Sequence, residues 1–160
     1  MWVNLRRQIA VEQEQIDRLI EIHRPLLLQC QNVAPNGIEL SALAALLHSF
    51  YTGVENVFKR VALDLDRRLP GGETWHRDLL EQMARCVEHR PAVISEALRG
   101  TLREYLQFRH VFRNAYSFDL DWEKMSGLVL NCEAVWRRLE AELTAFVRGG
   151  DESGQSQQGK

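Results

Sequence analysis

The segment Phe108–Tyr116 has the sequence FRHVFRNAY, which places apolar and cationic side chains on opposite faces of a helix. An α-helix turns by about 100° per residue, so side chains three or four positions apart share a face. The apolar face consists of Phe108, Val111, Phe112 and Ala115, and the other face of Arg109, His110, Arg113, Asn114 and Tyr116. The chain has no carboxylate between Tyr105 and Ser117. The segment therefore predicts a helix anchored in a core, with a cationic and aromatic face turned outward.

The rest of the chain supplies further helices for this segment to pack against. Apolar residues recur at intervals of three and four, and no strand-like alternation of useful length appears. The predicted helices span residues 4–32, 38–69, 74–85 and 91–116, followed by a last helix that Asp119 or Asp121 caps and that runs to residue 148. Pro25 predicts a kink or break in the first helix, and Pro91 suits the first turn of the fourth. We therefore predict an all-α bundle of four long helices and one short helix.

Length and composition are those of one globular domain. The chain has 160 residues, of which 45% are hydrophobic and 26% charged. The residues from Gly149 onward are mostly Gly, Ser, Gln and charged residues, which is typical of a disordered tail. The predicted division is a helical domain at residues 1–148 and a tail at residues 149–160.

The charge balance excludes a protein that coats nucleic acid non-specifically. The formal net charge is −2 at pH 7, so any site for RNA or phosphate must be a local cationic patch. The cationic face of the fourth helix is the candidate for that patch.

The three cysteines and the absence of targeting signals indicate the compartment. Cys30, Cys86 and Cys132 are widely spaced and form no CxxC pair, so we interpret them as buried thiols in a reducing compartment. No run of apolar residues is long enough to span a membrane, and the first residues lack the form of a signal peptide. We expect a cytoplasmic protein without a membrane partner.

Screening for known chemistries leaves the fourth helix as the candidate site. The sequence contains no glycine-rich phosphate loop, no HExxH or ExxH metal-ligand pair and no GxSxG turn, so we predict neither a cofactor nor a metal. Arginine binds phosphate oxygens in pairs, histidine accepts a proton from a ribose 2′-hydroxyl near neutral pH, and a phenol stacks on a base. These groups fit RNA cleavage without a metal ion. A buried, salt-bridged helix and a protein-binding patch are the alternatives.

Two further pairs of polar residues lie elsewhere in the sequence. Tyr51 and Glu55 are one turn apart in the second helix, and they either face the cationic helix or lie exposed. Trp75 and His76 fall in the first turn of the short helix, where we interpret them as structural.

The segment Tyr105–Tyr116 resembles the Arg-x4-His-x-Tyr signature of HepT-like toxins, which are helical ribonucleases of the HEPN superfamily. The flanking segments Leu69–His76 and Phe118–Trp122 are also similar, and the resemblance extends over residues 4–148. It implies a HEPN-type bundle and an endoribonuclease that cleaves RNA by attack of the 2′-hydroxyl. Arg109 matches the signature arginine and Tyr116 the signature tyrosine.

The resemblance also implies partners. Such toxins belong to type VII-like toxin–antitoxin pairs, in which a minimal nucleotidyltransferase silences the toxin by transferring AMP to the signature tyrosine, here Tyr116. Family members are homodimers whose cleft brings two copies of the motif together. Arg109, Arg113 and Tyr116 would bind RNA there.

The sequence departs from the signature at the catalytic histidine, because Asn114 occupies that position. Asparagine forms hydrogen bonds but does not transfer protons, and acid–base catalysis typically contributes 10²- to 10⁴-fold, so we expect impaired cleavage. The chain is then an engineered inactive variant, a naturally silent relative, or an enzyme in which His110 transfers the proton. The alternative function is a non-catalytic helical dimer that binds RNA, a nucleotide or a protein through the same patch.

Overall fold

The chain folds into five α-helices, which confirms the predicted all-α bundle of four long helices and one short helix. The computed structural model describes residues 1–114, 116 and 119–156. The helices are α1 (Trp2–Gln29), α2 (Gly37–Val61), α3 (Trp75–Met83), α4 (Glu96–Phe112) and α5 (Trp122–Ser156). One π-helical turn, Ala62–Asp66, extends α2. Among the described residues no β-strand is present apart from one isolated bridge between Val87 and Arg90.

Helix α2 is the central element, since it contacts all four other helices. Its N-terminus is fixed by a capping box in which Asn36 and Glu39 bind each other's backbone N–H groups. Twelve of its residues are buried along the helix. At Gly53 the side chain of Ile16 packs so closely that a Cβ would lie 2.8 Å from it, so a side chain at this position would collide with α1.

Helix α1 does not break at Pro25, where a kink or break was expected, because it continues through this residue to Gln29. Proline removes one backbone hydrogen bond from a helix. Packing against the bundle nevertheless keeps the helix continuous, and Arg24 of this turn donates two hydrogen bonds of 2.9 and 3.0 Å to Glu133 of α5. Leu26 and Leu27 pack against the core in the same turn.

Helix α4 is shorter than predicted at both ends. It begins at Glu96 with Ser95 as its N-cap, and the expected first-turn position of Pro91 is wrong. The reason lies in tertiary packing, because Val93 and Ile94 are buried and Val93 donates a hydrogen bond to the Met83 carbonyl. At the other end α4 stops at Phe112, so the predicted helix through Tyr116 is also too long.

Helix α5 extends beyond the predicted domain boundary at residue 148 and includes residues 149–156. The composition of this segment favoured a disordered tail, but contacts with α1 hold its first turn in a helix. The indole of Trp2 packs directly on Gly150, and Arg6 forms an ion pair with Asp151. Residues 157–160 of the predicted tail lie outside the described residues.

A buried ion pair ties the π-turn to the segment before α4. The Arg90 side chain is 0% exposed. Its five N–H groups reach both carboxylate oxygens of Asp66, each at 2.6 Å, and the backbone carbonyls of Gln82, Arg85 and Pro91. Since guanidinium has five N–H donors, every one of them is satisfied.

All three cysteines are free thiols, but only two of them are buried. Cys30 and Cys132 lie in the core as predicted, whereas Cys86 is exposed and corrects the prediction. It follows α3 in the turn that positions Arg90, where its thiol faces the Arg90 carbonyl.

Candidate functional site

A cationic groove of about 530 Å³ lies between the start of α3 and the C-terminal half of α4. Four arginines and two histidines line it: Arg77, Arg103, Arg109, Arg113, His76 and His110. Glu73 is the one carboxylate among its described lining residues. The groove therefore concentrates positive charge on a chain whose overall net charge is −2.

Arg109 lines the cationic groove, and its side chain is largely buried. Its side chain is 13% exposed, and Nη1 donates a hydrogen bond of 3.1 Å to Oε1 of Glu55. Its buried Nε has no hydrogen-bond partner among the described residues. Arg109 thus keeps most of its hydrogen-bonding capacity unused in this conformation.

Glu55 is the buried carboxylate that organises the site. Its side chain is 2% exposed, and it faces the cationic helix, which was one of the two alternatives for the pair with Tyr51. Besides Arg109, Lys59 approaches Oε1 at 3.9 Å and His76 approaches Oε2 at 2.6 Å. Tyr51 is fully buried, so neither residue of the pair is exposed.

His76 joins the site through this carboxylate. Its Nδ1 lies 2.6 Å from Glu55 Oε2, and the neighbouring Trp75 ring stacks on the imidazole with 3.6 Å between centroids. Because an ionised carboxylate only accepts hydrogen bonds, the proton of the neutral imidazole belongs on Nδ1 and the lone pair on Nε2. Arg109 Nη1 lies 3.4 Å from the same Nδ1, so both donors converge on Glu55.

Sequence reasoning missed Glu55 and His76 as site residues. They are 21 positions apart on different helices, and no fixed spacing joins them. One signal was available, because Glu55 falls on the apolar face of α2 among Val54, Val57 and Phe58. A carboxylate in such a place requires a cationic or hydrogen-bonding partner.

His110 and Arg113 are exposed and line the cationic groove beside Arg109. Arg113 occupies the C-cap of α4, where the negative end of the helix dipole favours a cation. The field of these arginines reaches α2. Burial, and then the charges of Arg109 and Arg113, lower the pKa of His48, whose ring packs 5.6 Å from that of Phe112.

Asn114 and Tyr116 lie beyond the end of α4, so the predicted single helical face does not include them. The Asn114 side chain donates a hydrogen bond of 3.0 Å to the His110 carbonyl and is exposed. Tyr116 is 72% exposed, and its carbonyl accepts a hydrogen bond from the Asp119 N–H. The structure thus brings Arg109, His110 and Arg113 together and leaves the other two predicted site residues at the adjoining helix end. Ala115, assigned to the apolar face, lies outside the described residues.

Neither a metal centre nor a membrane span is found among the residues that the structure describes. In that part of the chain, no three or more His, Cys, Asp or Glu side chains are grouped so that they could hold a metal ion. None of the described helices is both long enough and apolar enough to cross a membrane.

Comparison with known proteins gives a match to a protein family. The model of a family described as "HepT-like protein" matches residues 42–149, which span α2 to α5 and include every site residue discussed above. Neither the curated proteins nor the solved structures give a match.

Proposed function

The chain belongs to the HepT-like protein family, which has a HEPN-type toxin scaffold. On this premise we propose that the chain is the toxin of a toxin–antitoxin pair, and that its cationic groove binds RNA and cleaves it. The observation that carries the proposal is the convergence of Arg77, Arg103, Arg109 and Arg113 on one groove. No carboxylate of the described residues lies within ion-pair distance of Arg77, Arg103 or Arg113. Such a surface suits the phosphates of a single RNA strand.

A comparison of two arginines supports a ligand-binding role for Arg109. Arg90 is a structural arginine, since all five of its N–H groups are occupied by acceptors of this chain. Arg109 has a single acceptor among the described residues, Glu55. Its Nη2 group has no acceptor among the described residues, and because the Arg109 side chain lines the groove, this group is available for phosphate oxygens.

RNA binding should therefore depend on the groove arginines. We expect Arg109→Ala and Arg113→Ala each to weaken binding of a single-stranded RNA. Removing one phosphate-binding arginine should also reduce the magnitude of the slope of log K against log salt concentration by about 0.7, because fewer counterions are released on binding. Fluorescence anisotropy at several salt concentrations measures both effects. Arg18→Ala is the control, since Arg18 is an exposed arginine of α1 outside the groove. Equal affinity of all three variants would contradict an RNA site here.

The substitution at Asn114 points to weak cleavage. An amide does not transfer protons, and this one is engaged with the His110 carbonyl at its own helix end. That observation also favours a second candidate function, in which the groove binds RNA, a nucleotide or a protein without cutting. The substitution Asn114→His distinguishes the two candidate functions, RNA cleavage and binding without cleavage.

We also propose that a minimal nucleotidyltransferase is the antitoxin and that it transfers AMP to Tyr116. The phenol oxygen would form a bond to the α-phosphorus of ATP, pyrophosphate would leave, and the phenol proton would pass to solvent. Tyr116 is the exposed one of the three tyrosines of the chain, because Tyr51 and Tyr105 are 0% and 1% exposed. Burial also raises the pKa of both buried phenols, which disfavours their ionisation.

Co-expression with a nucleotidyltransferase encoded by the adjacent gene should add the mass of one AMP to the chain. Fragmentation of the peptides should locate the AMP on Tyr116. Tyr116→Phe should remain unmodified under the same conditions, since the buried tyrosines are inaccessible. Mass spectrometry of the intact protein and its peptides reads both results. Modification that persists in Tyr116→Phe, or none in the parent chain, would contradict this partner.

We propose that two copies of the chain pair around the ends of α4, as the resemblance to dimeric toxins implies. Pairing there would double the positive charge presented to one RNA strand and give a closed two-fold assembly. Light scattering of the purified chain tests the pairing, which a molar mass of only 18.5 kDa would contradict.

A further inference from the structure

We propose that His76, oriented by Glu55, is a catalytic base that takes the proton from the attacking 2′-hydroxyl of RNA; this inference rests on the RNA cleavage proposed above. It places a proton-transferring group outside the signature segment, in which Asn114 does not transfer protons. The Glu55–His76 pair belongs to α2 and α3, so it is independent of the residue present at the end of α4.

The first argument is the geometry of the imidazole. Its Nδ1 is bound to Glu55 Oε2 at 2.6 Å, and the Trp75 ring stacks on it at 3.6 Å, so hydrogen bonding and packing both fix the ring. A carboxylate bound to Nδ1 holds the tautomer in which Nε2 has its lone pair free, and it stabilises the imidazolium that forms when Nε2 accepts a proton. This is the arrangement by which a carboxylate prepares a histidine base.

The second argument is the position of the base. His76 is 24% exposed and lines the same groove as Arg109, His110 and Arg113. Arg109 and His76 share the Glu55 carboxylate, and their nitrogens lie 3.4 Å apart. A phosphate bound by Arg109 would therefore lie beside His76. The 2′-hydroxyl of the ribose next to that phosphate would then lie within hydrogen-bond reach of the imidazole.

The third argument is the charge balance around Glu55. Arg109 and Lys59 already place two positive charges against this buried carboxylate, at 3.1 and 3.9 Å. His76 is therefore not required to neutralise it. The short bond between Glu55 and the partly exposed imidazole therefore serves to orient the imidazole, since the two cations already balance the charge of the buried carboxylate.

The reaction balances with the groups of the groove. The 2′-hydroxyl proton moves to Nε2 of His76 while the 2′-oxygen forms a bond to the adjacent phosphorus. The bond from phosphorus to the 5′-oxygen breaks, and that oxygen takes a proton from water or from the His110 ring. The products are an RNA end with a 2′,3′-cyclic phosphate and one with a 5′-hydroxyl. Arg109 stabilises the negative charge of the transition state.

The test compares His76→Ala with its parent, both in the given chain and in the Asn114→His background. The probe is a fluorescent single-stranded RNA, with a copy lacking 2′-hydroxyls as the substrate control. We expect His76→Ala to reduce single-turnover cleavage by about 10²-fold or more, to retain RNA affinity, and to regain activity when imidazole is added. Glu55→Gln, a change at the positioning residue, should lower cleavage less. Added imidazole should not restore it, because the native imidazole is still present.

The matched control is His89→Ala. His89 also bonds its imidazole to a carboxylate, Asp66 at 2.8 Å, but it lies outside the groove, so cleavage should be unchanged. His76→Gln keeps the volume of the side chain and guards against a folding defect. Cleavage that persists in both His76 variants would overturn this inference alone. So would a result in which both variants lose RNA binding and added imidazole does not restore cleavage. Absence of cleavage in both parents would overturn the proposed ribonuclease function and this inference with it.

Discussion

Asn114→His is expected to raise the rate of RNA cleavage by about 10²- to 10⁴-fold, the usual contribution of general acid–base catalysis. The position is exposed and follows Arg113, which lines the cationic groove. An imidazolium at the C-terminal end of α4 is favoured by the helix dipole, so the introduced group suits protonation of the leaving 5′-oxygen. With His76 as base, the site would then hold an acid beyond the end of α4 and a base on α3.

The substitution costs little elsewhere. The Asn114 side chain makes one hydrogen bond, to the His110 carbonyl, and a bond of this kind contributes about 0.5–1.5 kcal/mol. A histidine at the same place has an N–H for that carbonyl. The expected gain in rate is therefore not offset by loss of fold.

Two measurements check this result: cleavage of single-stranded RNA by the purified protein and growth arrest after induced expression. Asn131→His is the matched control, because the Asn131 side chain makes the same local bond, to the Gly127 carbonyl at 2.7 Å, on α5 and outside the groove. It should leave both readouts unchanged. If Asn114→His is harmless and leaves RNA intact, the non-catalytic binding function replaces the nuclease.

The sequence predicts the helices well because their apolar periodicity reflects a core shared by all of them. The stripe of α2 and the short α3 both follow directly from it. Helix ends were harder to predict, because contacts with distant residues decide them. Val93 joins the core instead of starting α4, and Trp2 holds Gly150 in α5.

The candidate site divides in the same way. Arg109, His110 and Arg113 lie within about one turn of each other at the end of α4, so their common location follows from local spacing. The bond between Glu55 and His76 depends on the packing of α3 against α2, which periodicity does not define. The sequence alone favours a structural role for Trp75 and His76, and only the three-dimensional arrangement shows that His76 shares a carboxylate with Arg109.

The second large effect is expected at the buried Arg90, where Arg90→Ala should lower the free energy of unfolding by about 3–5 kcal/mol, the usual cost of removing one partner of a buried ion pair. The substitution leaves the Asp66 carboxylate without its two 2.6 Å bonds to guanidinium. The carbonyls of Gln82, Arg85 and Pro91 lose their donor as well. The segment that leads into α4 would lose its main attachment to the π-turn.

The pH dependence of this loss distinguishes an unpaired charge from a simple cavity. Burial alone would raise the pKa of Asp66, but hydrogen bonds from Arg90, Gln82 and His89, together with the Arg90 charge, lower it overall. The lowered pKa contributes stability above the unfolded value of about 3.9, and this stability is lost as pH falls through the folded pKa. Without Arg90 the balance shifts toward the effect of burial, so protonation of Asp66 relieves the variant. The difference from the parent should then be largest at neutral pH and smaller below about pH 4.

Urea unfolding at both pH values, followed by circular dichroism, measures this difference. Arg24→Ala is the matched control, because Arg24 also donates two bonds to one carboxylate, Glu133, but does so at a partly exposed position. Exposed ion pairs contribute little, since water solvates the charge that remains, so its midpoint should change far less. Equal losses in the two variants would show that the buried Asp66 charge is not what destabilises Arg90→Ala. A loss that does not shrink on acidification would assign the effect to packing around the removed side chain.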